Sequence, residues 1–321
     1  MTSRRGHVLR GVLSLAAAVA MTAGGVPTTY AEDRGLVFRI RSGDVTESSS
    51  LVVSSTQERL AYTTNDSGDA AVVYAVDTGS GRVVGRTTLT GVDAYDVEAL
   101  GGGSDGSLVV ADIGDNSGVR ERVTFARIEQ PARGDHAVTP DVVSLRYVDG
   151  ARDAESVLYD SESGRIFVVS KEFGDAHVYR SRADAFAHRF GVLRPIAAAP
   201  PLATDATYLP GGDYVVVRGY IDATVFRAAG WTRVERFSLP AQEQGESIAA
   251  PPSGDVVWVG TEGNNSPVVA VPIPSLPTEP GESGSGPGNG ARGPETAPGG
   301  GQSAGADSQQ PNADTDEAAL D

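Results

Sequence analysis

The chain contains no cysteine. That excludes a disulfide framework, a thiolate metal site and a cysteine nucleophile, so the fold has to be held by its own core. Lysine is almost missing too: Lys171 is the only one among 26 basic residues. Basic charge is outweighed by 42 Asp and Glu, giving a formal net charge of −16. Such a surface excludes nucleic acid and anionic membrane as partners, and it suits cations. Long apolar runs are also scarce. The longest, Val12 to Met21, is too short to cross a bilayer. It follows Arg4, Arg5 and Arg10 and precedes Thr29-Tyr30-Ala31, which is the order of a signal peptide over residues 1–31. The expectation is a secreted or cell-wall-associated protein with no membrane span in the mature chain. From Pro274 onward Gly, Pro, Ser and acidic residues dominate. Residues 274–321 therefore read as a disordered tail that buries too little apolar surface to offset chain entropy. This leaves 32–273 as one folded domain.

Within that domain one pattern recurs five times: an acid, a small residue and an apolar stretch, then a turn and a strand. It is found at Glu47-Ser48, Glu98-Ala99, Glu155-Ser156, Asp205-Ala206 and Glu246-Ser247. The spacing is roughly 40–60 residues, near the period of blade-type repeats. Each repeat continues in the same way. After the turn (TQER, GSDG, SESG, PGGD, PSGD) comes a very apolar strand: LAYTT, SLVVAD, RIFVVSK, DYVVVRG and DVVWVGT. Runs of that kind suit a strand covered on both faces. A polar loop and a third strand follow, and a fourth, more polar strand completes four of the repeats. The fifth lacks it, whereas the N-terminal stretch GLVFRIRS is a strand without a repeat of its own. The two account for each other if the first strand completes the last blade, which removes the open edges of a ring. The pattern predicts an all-β fold, a five-bladed β-propeller closed by its N-terminal strand. Six blades is the alternative, with QPARGDHAVTP either an insertion or part of an extra blade.

Segments such as DVEALGGGSDGSLVVADIGDN and DAESVLYDSESGRIFVVSKE resemble the repeats of secreted bacterial β-propellers, of the NHL-like, WD40-like and phytase-like kinds. The resemblance covers about 32–273 and is architectural. It implies a propeller fold and leaves the activity open, because propellers serve many functions. The central calcium of some five-bladed propeller enzymes is the closest chemical parallel that it implies.

In a propeller the first strand of each blade lines the axis. Glu47, Glu98, Glu155, Asp205 and Glu246 would then face one mouth of a channel. Like charges gathered there must take up protons, bind backbone amides or share a cation. Calcium is the candidate ion, because it accepts six to eight oxygen ligands. The loops after the second strands should open on the same face, which adds Asn65, Asp66, Asp69, Asp112, Asp115, Lys171, Glu172, Arg218, Tyr220 and Glu262 as ligand-face candidates. Turn chemistry accounts equally well for many of these Asp and Asn residues. His136, His177 and His188 lack metal-site spacing and lie towards the rim. The function expected is a binding or scaffold module for a protein, glycan or small-molecule ligand. The alternative is a calcium-dependent extracellular hydrolase of phosphoesters or glycosides.

Overall fold

The computed structural model describes residues 35–66 and 71–277. The signal-like segment 1–31 and the tail from 278 onward lie outside the described residues. Apart from two 3-10 turns, Ala185–Ala187 and Ala229–Trp231, the regular structure of the described chain is all strand, in runs of β-branched and aromatic residues separated by Gly, Asp and Ser turns.

The first repeat forms β2 (Ser48–Val53), β3 (Leu60–Asn65), β4 (Val72–Asp77) and β5 (Arg82–Leu89). The second gives β6 (Val97–Gly102), β7 (Ser107–Asp112), β8 (Val123–Glu129) and β10 (Asp141–Tyr147). The third gives β11 (Ala154–Asp160), β12 (Arg165–Ser170), β13 (His177–Arg180) and β14 (Phe190–Ala198). The fourth gives β15 (Asp205–Tyr208), β16 (Tyr214–Arg218), β17 (Asp222–Arg227) and β18 (Thr232–Ser238). Three strands, β19 (Ile248–Ala249), β20 (Val256–Val259) and β21 (Pro267–Pro272), form the last. Within each repeat the strands run antiparallel in sequence order. The N-terminal strand β1 (Leu36–Arg39) pairs antiparallel with β21, giving the sheet order β1-β21-β20-β19.

The second strands are apolar because they are covered on both faces. Every residue of β3 and of β7 is buried. The fourth strands alternate, as in β5, where Gly85, Thr87 and Leu89 are buried and the residues between them are not, because one side meets solvent. The stretch around QPARGDHAVTP supplies β9 (Gly134–Val138), which lies parallel on β5 as an added edge strand of the first sheet. It is therefore an insertion that covers an edge. The outer strands β10 and β14 also pair in parallel, joining the second and third sheets.

The first strands adjoin one another in sequence: β2 beside β6, β6 beside β11, β11 beside β15, β15 beside β19, and β19 beside β2. The apolar cores lie between neighbouring sheets. One joins Phe125 and Leu145 to Tyr159 and Val168, another Tyr62 and Leu89 to Leu108 and Ile128. Others join Leu158 and Val169 to Val215 and Phe226, and Val216 and Val225 to Val257 and Val259. The core between the last and first sheets places Phe38, Ile40 and Val268 against Leu51, Val72 and Tyr74. Each large apolar side chain buried in this way contributes about 1.5–3 kcal/mol. The sheets thus make an all-β, propeller-like arrangement in which each sheet is stabilised mainly by its neighbours.

Gly81 shows how tightly β1 is seated. Its φ is +70°, and a Cβ there would lie 1.8 Å from the Arg39 carbonyl oxygen. The same turn accepts a 2.7 Å hydrogen bond from the Arg41 amide. Only glycine satisfies both the dihedral and the approach.

Candidate acidic site at the mouth of the inner strands

The first strands begin, and the second strands end, at one rim of the structure. In the first three repeats this rim carries a β-bulge. Ser48 faces Asn65 and Ser50 faces Thr64, leaving Ser49 extra. Val97 faces Asp112 and Ala99 faces Ala111, leaving Glu98 extra. Ala154 faces Ser170 and Ser156 faces Val169, leaving Glu155 extra. A bulge re-aims the extra side chain, here at the mouth. Backbone bonds fix a second set of equivalent positions: the amides of Asp66, Ile113 and Lys171 donate to the carbonyls of Glu47, Asp96 and Asp153.

The five acids of the sequence pattern therefore do not occupy one equivalent position. Glu98 and Glu155 are counterparts of Ser49, and Glu47 is the counterpart of Asp96 and Asp153. Glu47 is exposed, while Glu98, Glu155 and Glu246 are buried at the mouth. Asp205 is wholly buried and engaged by backbone: its carboxylate accepts from the amides of Ala206 (2.9 Å), Ile248 (2.9 Å) and Leu51 (3.4 Å) and from the Ser50 hydroxyl (3.2 Å). It holds three inner strands together and has little capacity left for a ligand. Burial holds its carboxyl well above the usual carboxylate range, and those amides offset only part of the rise.

Sequence spacing did not single out Asp96 or Asp153. The signal was present as the repeated Asp-x-Glu of Asp96-Val97-Glu98 and Asp153-Ala154-Glu155. An alternating strand would put both acids of such a pair on one side, and the bulge modifies that geometry. Oxygens of Asp66, Asp96 and Glu98 come within 4.8 Å of one another. Asp66 Oδ1 is buried without a hydrogen-bond partner. The cluster packs on Gly114, where a Cβ would lie 2.4 Å from Asp96 Oδ2 and 2.8 Å from Glu98 Oε1. The Ser49 hydroxyl donates to Glu98 Oε2 at 3.1 Å. Burial and the charges of Glu155, Asp66 and Asp96 hold the Glu98 carboxyl well above its usual range. Burial and then the Asp66 charge push Asp96 up to about 6.

Beside this cluster Lys171 Nζ pairs with Glu155 Oε1 and lies 5.4 Å from the centre of the Tyr220 ring. Burial opposes the Lys171 charge, but Glu155 and Glu246 more than offset it and raise its pKa. Burial pushes Tyr220 up to about 12. Oε2 of Glu155 and Oε2 of Glu246 are buried without a hydrogen-bond partner, as are the hydroxyls of Ser156 and Ser247. Burial and the charges of Glu246, Asp66 and Glu47 push Glu262 up to about 8.

Other candidates have structural occupations. Arg218, fully buried, donates to the carbonyls of Ser247 (2.5 Å) and Gly260 (2.7 Å) and to Gln242 Oε1 (2.7 Å), pinning the fourth sheet to the fifth. Burial lowers its pKa to about 10. Asp112 pairs with Arg120 at 2.9 Å and accepts from the Asp96 amide at 2.8 Å. Asp115 closes its own loop by accepting from the amides of Val119 and Arg120. Asn65 braces the loop before β2 by accepting from Thr46 and donating to Asp44. Glu172 pairs with Arg152 at 2.9 Å. Asp69 lies outside the described residues. The stretch Gly102-Gly103-Ser104-Asp105-Gly106 has the spacing of a nucleophilic serine elbow. It forms the strand-to-strand turn between β6 and β7, and the Ser104 hydroxyl meets that of Ser161 at 2.9 Å.

No family model matches the chain, and no curated protein matches it. Among solved structures it is similar to one described as a Dos1 propeller, at 12% identity and a TM-score of 0.40, over 77% of this chain. The chain spans 65% of that structure's length.

Proposed function

We propose that this chain is a closed five-bladed β-propeller, exported from the cell, that works as a binding module with a divalent cation in its acidic mouth. The ring of adjoining inner strands and the core between the last and first sheets support five blades. The signal-like N-terminal pattern supports export to the exterior or the cell wall. The observation that carries the cation is the convergence of Asp66, Asp96 and Glu98 oxygens within 4.8 Å, with Asp66 Oδ1 unpartnered. A hard, oxygen-seeking ion suits such a donor set, and calcium is our candidate because further carbonyl and water oxygens can complete its shell. Lys171 and Arg218 are both engaged by protein acceptors. Phosphoester hydrolysis would therefore have to contact phosphate through the cation, and we rank binding ahead of hydrolysis.

Thermal melting tests this reading. Calcium at a hundredfold excess over its Kd is expected to stabilise the chain by about 2.7 kcal/mol. A chelator should reverse the gain, and Glu98→Gln or Asp96→Asn should abolish it. A melting curve indifferent to calcium, to chelator and to both substitutions would sink the cation.

A further inference from the structure

The four most exposed large apolar side chains among the described residues are Phe173 (85%), Val119 (74%), Ile221 (69%) and Tyr95 (68%). All four lie at the same rim as the acids. Val119, Phe173 and Ile221 sit in the loops that leave the second strands β7, β12 and β16, and Tyr95 sits in the loop that enters β6. Second strands end, and first strands begin, at the mouth, so the second, third and fourth sheets present an apolar crescent around it. Exposed single hydrophobes are ordinary, but this concentration on one face is the mark of an interaction surface.

The inner side of the crescent is acidic. Next to it lie Asp66, Asp96, Glu98, Glu155, Glu246 and Glu262. Of the bases at this rim, Lys171 is engaged by Glu155, Arg120 by Asp112, Arg152 by Glu172 and Arg218 by carbonyls, while the exposed Arg122 lies over the Phe190 ring on the outer side. Burial keeps protons on several of these carboxyls, and an arriving cation would take their place. Charge complementarity then fixes the occupant: a cation between apolar groups. We infer that this face docks a protein segment presenting a lysine or arginine between apolar side chains. The cation would point at the mouth, and the flanking residues would cover Phe173, Ile221, Val119 and Tyr95. The inference shares the acidic mouth with the cation reading but does not depend on the bound ion. Acid-lined centres with apolar surroundings favour such pairing because the surroundings exclude water from the charges.

The test uses the full mature chain and a phage-displayed library of random peptides, selected once with calcium and once with chelator. The selected peptides should be enriched in Lys or Arg flanked by Leu, Ile, Phe or Trp. A synthetic peptide of the selected sequence should lose about tenfold or more in affinity on the double change Phe173→Ser and Ile221→Ser. At about pH 9, above the raised Glu262 value of about 8, it should also weaken on Glu262→Gln and with added salt. Val142→Ser, at an exposed valine of the outer strand β10, should leave binding unchanged. Absence of binders in both selections, an acidic or purely apolar consensus, or affinity that survives the Phe173 and Ile221 changes would overturn the proposal. Binders recovered equally with calcium and chelator would support the docking face even if the calcium melt failed.

Discussion

Asp205 shows how one side chain can serve three sheets. Its carboxylate accepts from amides of the fourth, fifth and first repeats. Asparagine at this position would turn a donor towards buried N–H groups and leave at least one of them unsatisfied. Asp205→Asn is expected to destabilise the chain by about 2–4 kcal/mol, read as a lower urea midpoint at unchanged m-value. Asp205→Ala should cost at least as much. A loss within about 0.5 kcal/mol would show that the amides find other partners. This role was hidden in the sequence, where Asp205 looks like any other acid of the repeat. What separates it from Glu98 and Glu155 is the strand register: Asp205 faces Arg218 directly, without a bulge ahead of it. Bulges depend on the partner strand, so a single sequence does not display them.

Among the elements, β1 has the clearest energetic consequence. It covers the edge of β21 and brings Phe38 into edge-to-face contact with Trp258, with ring centres 5.9 Å apart. Deleting residues 34–42 would expose that edge and empty part of the core between the last and first sheets. The expected outcome is aggregation or loss of the cooperative melt, checked by gel filtration and calorimetry. Gly81→Ala is the milder test. The added methyl would strike the Arg39 carbonyl at a positive φ, so a loss of more than about 1 kcal/mol is expected. The strands themselves were legible in the sequence. The five apolar second strands, the turns before them and the N-terminal strand fall where alternation and turn residues put them, since each needs only local information. The partner of β9 was not legible, because an inserted strand can settle on any free edge and nothing in QPARGDHAVTP names β5. Within the site, the membership was not legible. Asp66, Glu98, Glu155, Glu246 and Glu262 lie together, Glu47 is exposed beside Glu262, and Arg218 is turned into the core.

At the scale of the whole molecule the acidic mouth ties stability to pH. Asp96 and Glu262 are pushed up to about 6 and about 8, chiefly by burial, and Glu98 is raised as well. A carboxyl that holds its proton to higher pH when folded than when unfolded stabilises the fold at low pH. That contribution is complete below the ordinary carboxylate range and is lost as pH rises through the folded value. In chelator, the melting temperature is therefore expected to fall between about pH 5 and pH 8. Glu262→Gln should flatten the upper part of the decline, and calcium should restore the loss. A melting temperature that climbs steadily over this range would contradict the protonated mouth.

The pairing of β1 with β21 also bears on which way the molecule points. The chain enters β1 at Gly35, whose carbonyl accepts from the Ala270 amide, and leaves β21 where the Ile273 amide meets Asp255, at the start of a second strand. Both places lie at the rim away from the mouth, on the perimeter of the same sheet. A graft to a bead, a surface or another domain at either of these positions would hold the body from behind. The acids and their apolar crescent would face outward, unobstructed by the attachment.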